Sequence, residues 1–396
     1  MERVRFVLIL AYSIVFLVAV GVATMLIVTE WQDTPTPAAE VTEAPTAAPT
    51  EPRATLTPGM TPITPQPTRT PRPTTTPAPT TVALAADDAI TAANAAGLVQ
   101  RGAIALEGAP DAQNTIRSFA WSPNGEIIAV PEPANNRVAL YDAETEELIA
   151  TLAEQNEPVR SVAFSPDGAL LAVGARAITV WNVESGEQIA SLEGHDSPAL
   201  SLAFSPDGAR IASTSADGIV RVWDAITGDE QRQLALGAAG QGVAFSPDGA
   251  ILAARSERIV RLWDAEAGEE LATLEHGGLV NGIAFAPDGA RLTTASLDGA
   301  VQVWDVETGE VVATLREADA DAQPLDVAYS ANGDVLAVGS LVDAVIFLLD
   351  AESGSMLASL DADPAHFALR FSPDGRQLAA LSGQRGDTLL LWGLPD

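Results

Sequence analysis

One six-residue phrase recurs along this chain at a regular interval, and that interval restricts what the chain can fold into. The copies read AWSPNG at 120, AFSPDG at 163, 203 and 244, AFAPDG at 284, AYSANG at 328 and RFSPDG at 370. They lie about 40–44 residues apart, and a second mark follows each: LYD, VWN, VWD, LWD, VWD, LLD and LWG. Within the phrase, proline presets φ for the second position of a turn and aspartate suits the third. Glycine accepts the left-handed position that closes a hairpin. Turn chemistry accounts for every letter, so the phrase is a bend between two strands, not a repeated active site. A second turn such as ESGE, ITGD or ETGE joins the next pair of strands, and an apolar run such as QIASL or VVATL follows.

Four short strands per unit with a period near 40 read as blades of an all-β, seven-bladed β-propeller over residues 101–396. The first strand of each unit alternates large and small residues. Phe164, Phe204, Phe245 and Phe285, with Val162, Leu202, Val243 and Ile283, make one face. Ala163 and Ser161, Ala203 and Ser201, Ala244 and Gly242, Ala284 and Gly282 make the other. A period of two lets the large face of one blade meet the small face of the next. The seventh unit stops at TLLLWG, whereas an orphan run, RGAIALEG at 101–108, resembles EQIASLEG at 187–194. Residues 102–107 are therefore expected to supply the outer strand of the last blade and so close the ring. The preceding lead-in, 83–100, contains DAITAANAAGL and is expected to form a short helix capped at Asp88 or Thr91.

The N-terminal part is of another kind. Residues 6–28 carry no charge, and a membrane-spanning helix needs roughly 20 such residues. The run exceeds the about 7–15 residues usual for a cleaved signal peptide, so it is expected to be a retained anchor. Arg3 and Arg5 precede it, while Glu30 and Asp33 follow it. Positive charge stays inside, which makes residues 1–5 a cytoplasmic tail and puts the propeller on the outer side of the membrane. Residues 29–82 are rich in Thr and Pro and are expected to be a disordered stalk, with a reach on the order of 100 Å.

Composition excludes several functions. Cysteine is absent, and all 21 basic residues other than histidine are arginine, which removes thiolate metal sites and any lysine nucleophile or phosphate-loop lysine. A net charge of −32 argues against a nucleic-acid ligand, since phosphate binding depends on basic patches. No cofactor is expected.

Trp223-Asp224, Trp263-Asp264 and Trp304-Asp305, together with Gly194-His195, resemble the WD-repeat family of seven-bladed propellers, in a bacterial-type, membrane-anchored form. Asn182, Tyr141, Leu349 and Gly393 depart from the dipeptide, and most blades lack Gly-His. The resemblance implies a platform for protein–protein assembly without catalytic residues. It also implies two buried hydrogen-bond tetrads, His195, Ser213, Asp217 and Trp223 in one unit and His276, Thr294, Asp298 and Trp304 in another. A hydroxyl, an imidazole and a carboxylate also suggest a nucleophilic triad, but no G-x-S-x-G elbow is present. His366 receives no role.

Asp326 and Arg370 replace small residues of the first strand, so both are expected near the central axis, either as a salt bridge between neighbouring blades or solvated separately. Asp319, Asp321, Asp361 and Asp363 are candidate calcium ligands, although the pattern matches no EF-hand. Candidate contacts for a partner are Glu157, Arg160, Asp196, Arg255, Arg258, Asp319 and Arg385. The expected function is a monomeric, non-enzymatic interaction scaffold, anchored in the cell membrane through residues 6–28, with a protein partner that the sequence does not identify. A ligand- or calcium-binding sensor is the alternative, and a propeller-type hydrolase the remote one.

Overall fold

The repeated turn folds by its own chemistry. In a computed structural model, Ser165 Oγ accepts the amide of Leu170 at 2.9 Å, and Asp167 Oδ1 accepts that of Ala169 at 3.0 Å. Gly168 closes the bend with a φ of 72°, where a side chain would be strained. The described residues are 89–106, 116–152, 155–316, 323–342, 344–362, 368–383 and 386–395. They all fall within one compact unit, Thr74–Asp396. The expected tail, anchor and stalk lie outside them. Among the described residues no helix is long and apolar enough to cross a membrane.

The strands form seven four-stranded antiparallel sheets. Blade three shows the pattern, with strands a to d at Ala199–Phe204, Arg210–Ser215, Ile219–Asp224 and Glu230–Ala235. First strands of neighbouring blades touch, which puts strand a innermost around an axial channel. Blade seven is assembled from both ends of the propeller sequence. Val99–Ala105 pairs antiparallel with Thr388–Gly393, Ile104 lying opposite Leu389. The closing strand begins three residues earlier than the sequence suggests and shields an edge that would otherwise present unpaired amides and carbonyls.

The apolar cores lie between blades. Ala163 and Ala172 of blade two receive Leu202, Ile211 and Trp223 of blade three. In turn Ala212 of blade three receives Val243, Leu252 and Trp263 of blade four. Burying one such large side chain contributes about 1.5–3 kcal/mol, and the alanines opposite provide the room. Seven clusters of this kind link the ring, the last joining Leu381 and Leu391 of blade seven to Trp121 and Ile128 of blade one.

In the lead-in, the described part contains a three-residue 3-10 turn, Ala95–Gly97, in place of a longer helix. Asn94 orders it from within, accepting the Thr91 amide at 2.7 Å and donating to Ala89 O at 2.8 Å. The segment is held by packing, because Ile90, Ala95 and Leu98 bury against Leu369, Phe371 and Trp392.

Candidate functional site

The d-to-a loops and b-to-c turns are tied to each other. Ala199 N donates to Ala175 O at 2.8 Å, Leu236 N to Gly218 O at 3.0 Å and Val280 N to Glu257 O at 2.7 Å. Polar networks brace this face from beneath.

In blade three the indole Nε1 of Trp223 donates to Ser213 Oγ at 2.8 Å, and that hydroxyl lies 2.8 Å from His195 Nε2. His195 Nδ1 is 2.7 Å from Asp217 Oδ2. Burial lowers the His195 pKa against the pull of Asp217, so the imidazole is held neutral. Burial acts to raise the Asp217 pKa, but the hydrogen bonds from His195 and Ile219 outweigh it and keep the carboxylate ionised. The tautomer follows: Nδ1–H donates to Asp217, Nε2 accepts from Ser213, and Ser213 accepts from the indole. Gly194 permits the crowding, because a Cβ there would lie 3.1 Å from the Trp223 ring.

Two residues that sequence reasoning passed over extend this chain. Arg221 Nη1 donates to Asp217 Oδ2 at 2.9 Å, and Arg221 Nε donates to Glu230 Oε2 at 2.9 Å. The same nitrogen Nη1 lies 2.9 Å from His195 Nδ1, but both carry hydrogens in this tautomer, so the contact with Asp217 is the bond. An Arg on strand c facing a Glu on strand d was the available signal, and blade four repeats it as Arg261 and Glu270 at 2.8 Å. Ser213 is fully buried, and its lone pairs face an indole donor, so no substrate carbonyl can approach Oγ. The constellation suits a strut and not a nucleophile.

The second tetrad is shorter. Trp304 Nε1 donates to Thr294 Oγ1 at 2.9 Å, and Thr294 lies 2.8 Å from His276 Nε2. Among the described residues His276 Nδ1 has no hydrogen-bond partner, and Asp298 instead accepts the Ala300 amide at 3.0 Å. Blade two carries an arrangement that the family pattern does not point to. Its Trp181 donates to Thr179 Oγ1 at 2.8 Å, and Gln155 Nε2 donates to the same hydroxyl at 3.0 Å. The hydroxyl has moved from strand b to strand c, and glutamine stands where blade three has histidine.

At the axis, Arg370 Nη1 donates to Asp326 Oδ2 at 2.8 Å, a salt bridge between blades six and seven. Asp326 also accepts the Leu369 amide at 3.0 Å and its neighbour Val327's at 2.9 Å. Arg255, a candidate for the loop face, lies instead on the channel wall. Its Nη1 donates to Val280 O at 2.8 Å and Gln241 Oε1 at 3.1 Å, both on first strands. Burial, with Arg370 and Arg117 adding repulsion against the attraction of Asp326, pulls its pKa down to about 10.

Of the other candidate contacts, Glu157, Asp196 and Arg258 are exposed and Arg160 is half-buried. Asp319 and Arg385 lie outside the described residues. So do the calcium candidates Asp321 and Asp363, and His366. Asp361 is exposed at the end of its strand. No group of three acidic or histidine side chains suited to a metal occurs among the described residues.

Comparison with known proteins agrees with the repeat. The profile of the WD domain, G-beta repeat, matches residues 146–182, 186–224, 241–264 and 268–305. That of the Anaphase-promoting complex subunit 4 WD40 domain matches residues 99–158. Similar curated proteins include Echinoderm microtubule-associated protein-like 2 from Homo sapiens and from Mus musculus, each 41% identical over 63 residues. The Rattus norvegicus protein is 40% identical over 63 residues. These matches cover 16% of this chain and 10% of each relative.

Proposed function

We propose, starting from a seven-bladed propeller built of WD repeats, that this chain is a membrane-anchored scaffold that holds a protein partner outside the cell. WD40 propellers are typically interaction platforms without catalytic residues of their own. The observation that carries the reading is the loop face, where exposed Glu157, Asp196, Arg258 and Leu279 stand on turns locked by hydrogen bonds. Rigid support with variable side chains suits recognition, because little ordering entropy is lost on binding. The net charge of −32 favours a basic or cation-bridged partner surface. The uncharged run 6–28, with Arg3 and Arg5 before it, supports display on the outer side by a single anchor. The 63 residues shared with the microtubule-associated relatives correspond to about one and a half repeats, so they support the repeat and carry no partner across.

A photo-crosslinking residue at position 196 in the full-length chain should capture a discrete partner in cells. The same residue at position 189, on an outer strand, should not. Equal capture from both positions would overturn the reading. Protease added to intact cells tests display separately: the propeller should be accessible, and protection from the protease would put it inside.

A further inference from the structure

We propose that the channel wall around Arg255 is a binding site for an oxyanion, a phosphate or carboxylate group gripped by the free edge of that guanidinium. The chain has 53 acidic residues against 21 basic ones, yet Arg255 lies close enough to Arg370 and Arg117 to feel their charge. Like charges are not brought together without a compensating anion or a structural need. Among the described residues the carboxylate that attracts Arg255 is Asp326, and it is already engaged, accepting from Arg370 and from two backbone amides.

Arg255 has its own bonds in the wrong place for a closed structural role. Both come from Nη1, and both go to neutral oxygens, Val280 O and Gln241 Oε1. Its Nε–H and Nη2–H have no acceptor among the described residues. These two donors share one edge of the guanidinium plane, the fork that matches the two oxygens of a carboxylate or phosphate.

Room for the side chain of Arg255 itself is provided by sequence. Gly242 lies next to Arg255, and a Cβ there would come within 2.6 Å of Arg255 Nε. Gly282 does the same for Asp326, at 2.9 Å from Oδ1. Neither glycine has positive φ, so each is small for room and not for backbone conformation. At the same strand position blades two and three carry Ser161 and Ser201. The chain thus omits a side chain where the stem of Arg255 lies.

Calorimetric titration of the purified full-length chain, at constant ionic strength set with chloride, tests the site. One arm uses inorganic phosphate, and the other uses a blocked tetraglutamate peptide. Saturable one-to-one binding in the phosphate arm identifies a free oxyanion as the source, and binding only in the peptide arm identifies an acidic segment of a protein. In either case Arg255→Gln should weaken binding at least about 10-fold. Gly242→Ala, which keeps every charge but displaces the Arg255 stem, should weaken it several-fold. Arg232→Gln, on an outer strand, should leave it unchanged. If Arg255→Gln does not fold, Gly242→Ala and Arg370→Gln decide. No saturable heat in either arm, or binding that survives the axial substitutions as well as it survives Arg232→Gln, would overturn the proposal. The site stands independently of the loop face, so failure to capture a partner leaves it untouched.

Discussion

Blades three and four place tryptophan at the same point of the same sheet and solve its surroundings in opposite ways. Blade three surrounds Trp223 with Ser213, His195, Asp217 and Arg221, joined end to end by hydrogen bonds. Blade four surrounds Trp263 with Leu236 and Ala254, both fully buried, at the positions of His195 and Ser213. Both blades seal their cores. A polar chain is tolerated inside a protein when each member has a partner, and an apolar filling of similar shape serves as well. What the interior penalises is a mixture of the two. The comparison therefore predicts that single substitutions are worse than concerted ones.

The largest effect is expected from His195→Ala, which takes the acceptor from the Ser213 hydroxyl and one donor from Asp217 at once. It should cost about 3 kcal/mol in the urea unfolding of the chain. Importing the whole solution of blade four, as His195→Leu with Ser213→Ala, should cost less than the sum of the two single changes by at least about 1 kcal/mol. Strict additivity would remove the case for a coupled network. The reverse graft, Leu236→His in blade four, buries an imidazole with no hydroxyl beside it and should destabilise by about 2 kcal/mol. Adding Ala254→Ser should restore part of that loss, and unfolding midpoints of the single and double variants would show it. Thr179→Val in blade two, which leaves the Trp181 and Gln155 donors without an acceptor, should cost about 1–2 kcal/mol.

The smallest effect is one of pH. His195 and His276 both have pKa values lowered by burial, so the unfolded chain takes up protons more readily than the native one. Stability is then complete above the ordinary histidine pKa of about 6.5 and falls as pH drops from there toward the folded values. Unfolding measured at pH 7.5 and 5.5 should show a loss on acidification. The His195→Leu, Ser213→Ala variant should lose less, and an unchanged difference would mean that His195 is not held neutral in the native state.

Much of the architecture was legible because the turns are local. Pro166, Asp167 and Gly168 specify their bend within six residues, and the interval between bends counts the blades. The closing strand could also be found, since RGAIALEG at 101–108 looks like the outer strands elsewhere. The site was legible only in part. His195, Ser213, Asp217 and Trp223 could be matched because their offsets recur. The exchange that puts Thr179 and Gln155 around Trp181 could not. Two strands of an antiparallel pair can offer a hydroxyl to one point, and the choice between them leaves no mark in spacing. Arg255 was assigned to the loops from its nearness to a turn, whereas its guanidinium reaches strands of blades four and five.

The amino-acid sequence alone determined the bends, the number of units, the alternation of large and small faces and the excess of negative charge. All of these are properties of neighbours in the chain or of simple counts. The tertiary structure decided which polar groups meet. Asp326 finds Arg370 across 44 positions, and Arg255 comes to rest with its stem against Gly242. Such meetings depend on how sheets are set around a common axis. Hydrogen bonds and guanidinium forks are sensitive to fractions of an ångström, and no pattern of spacing along a chain carries that precision.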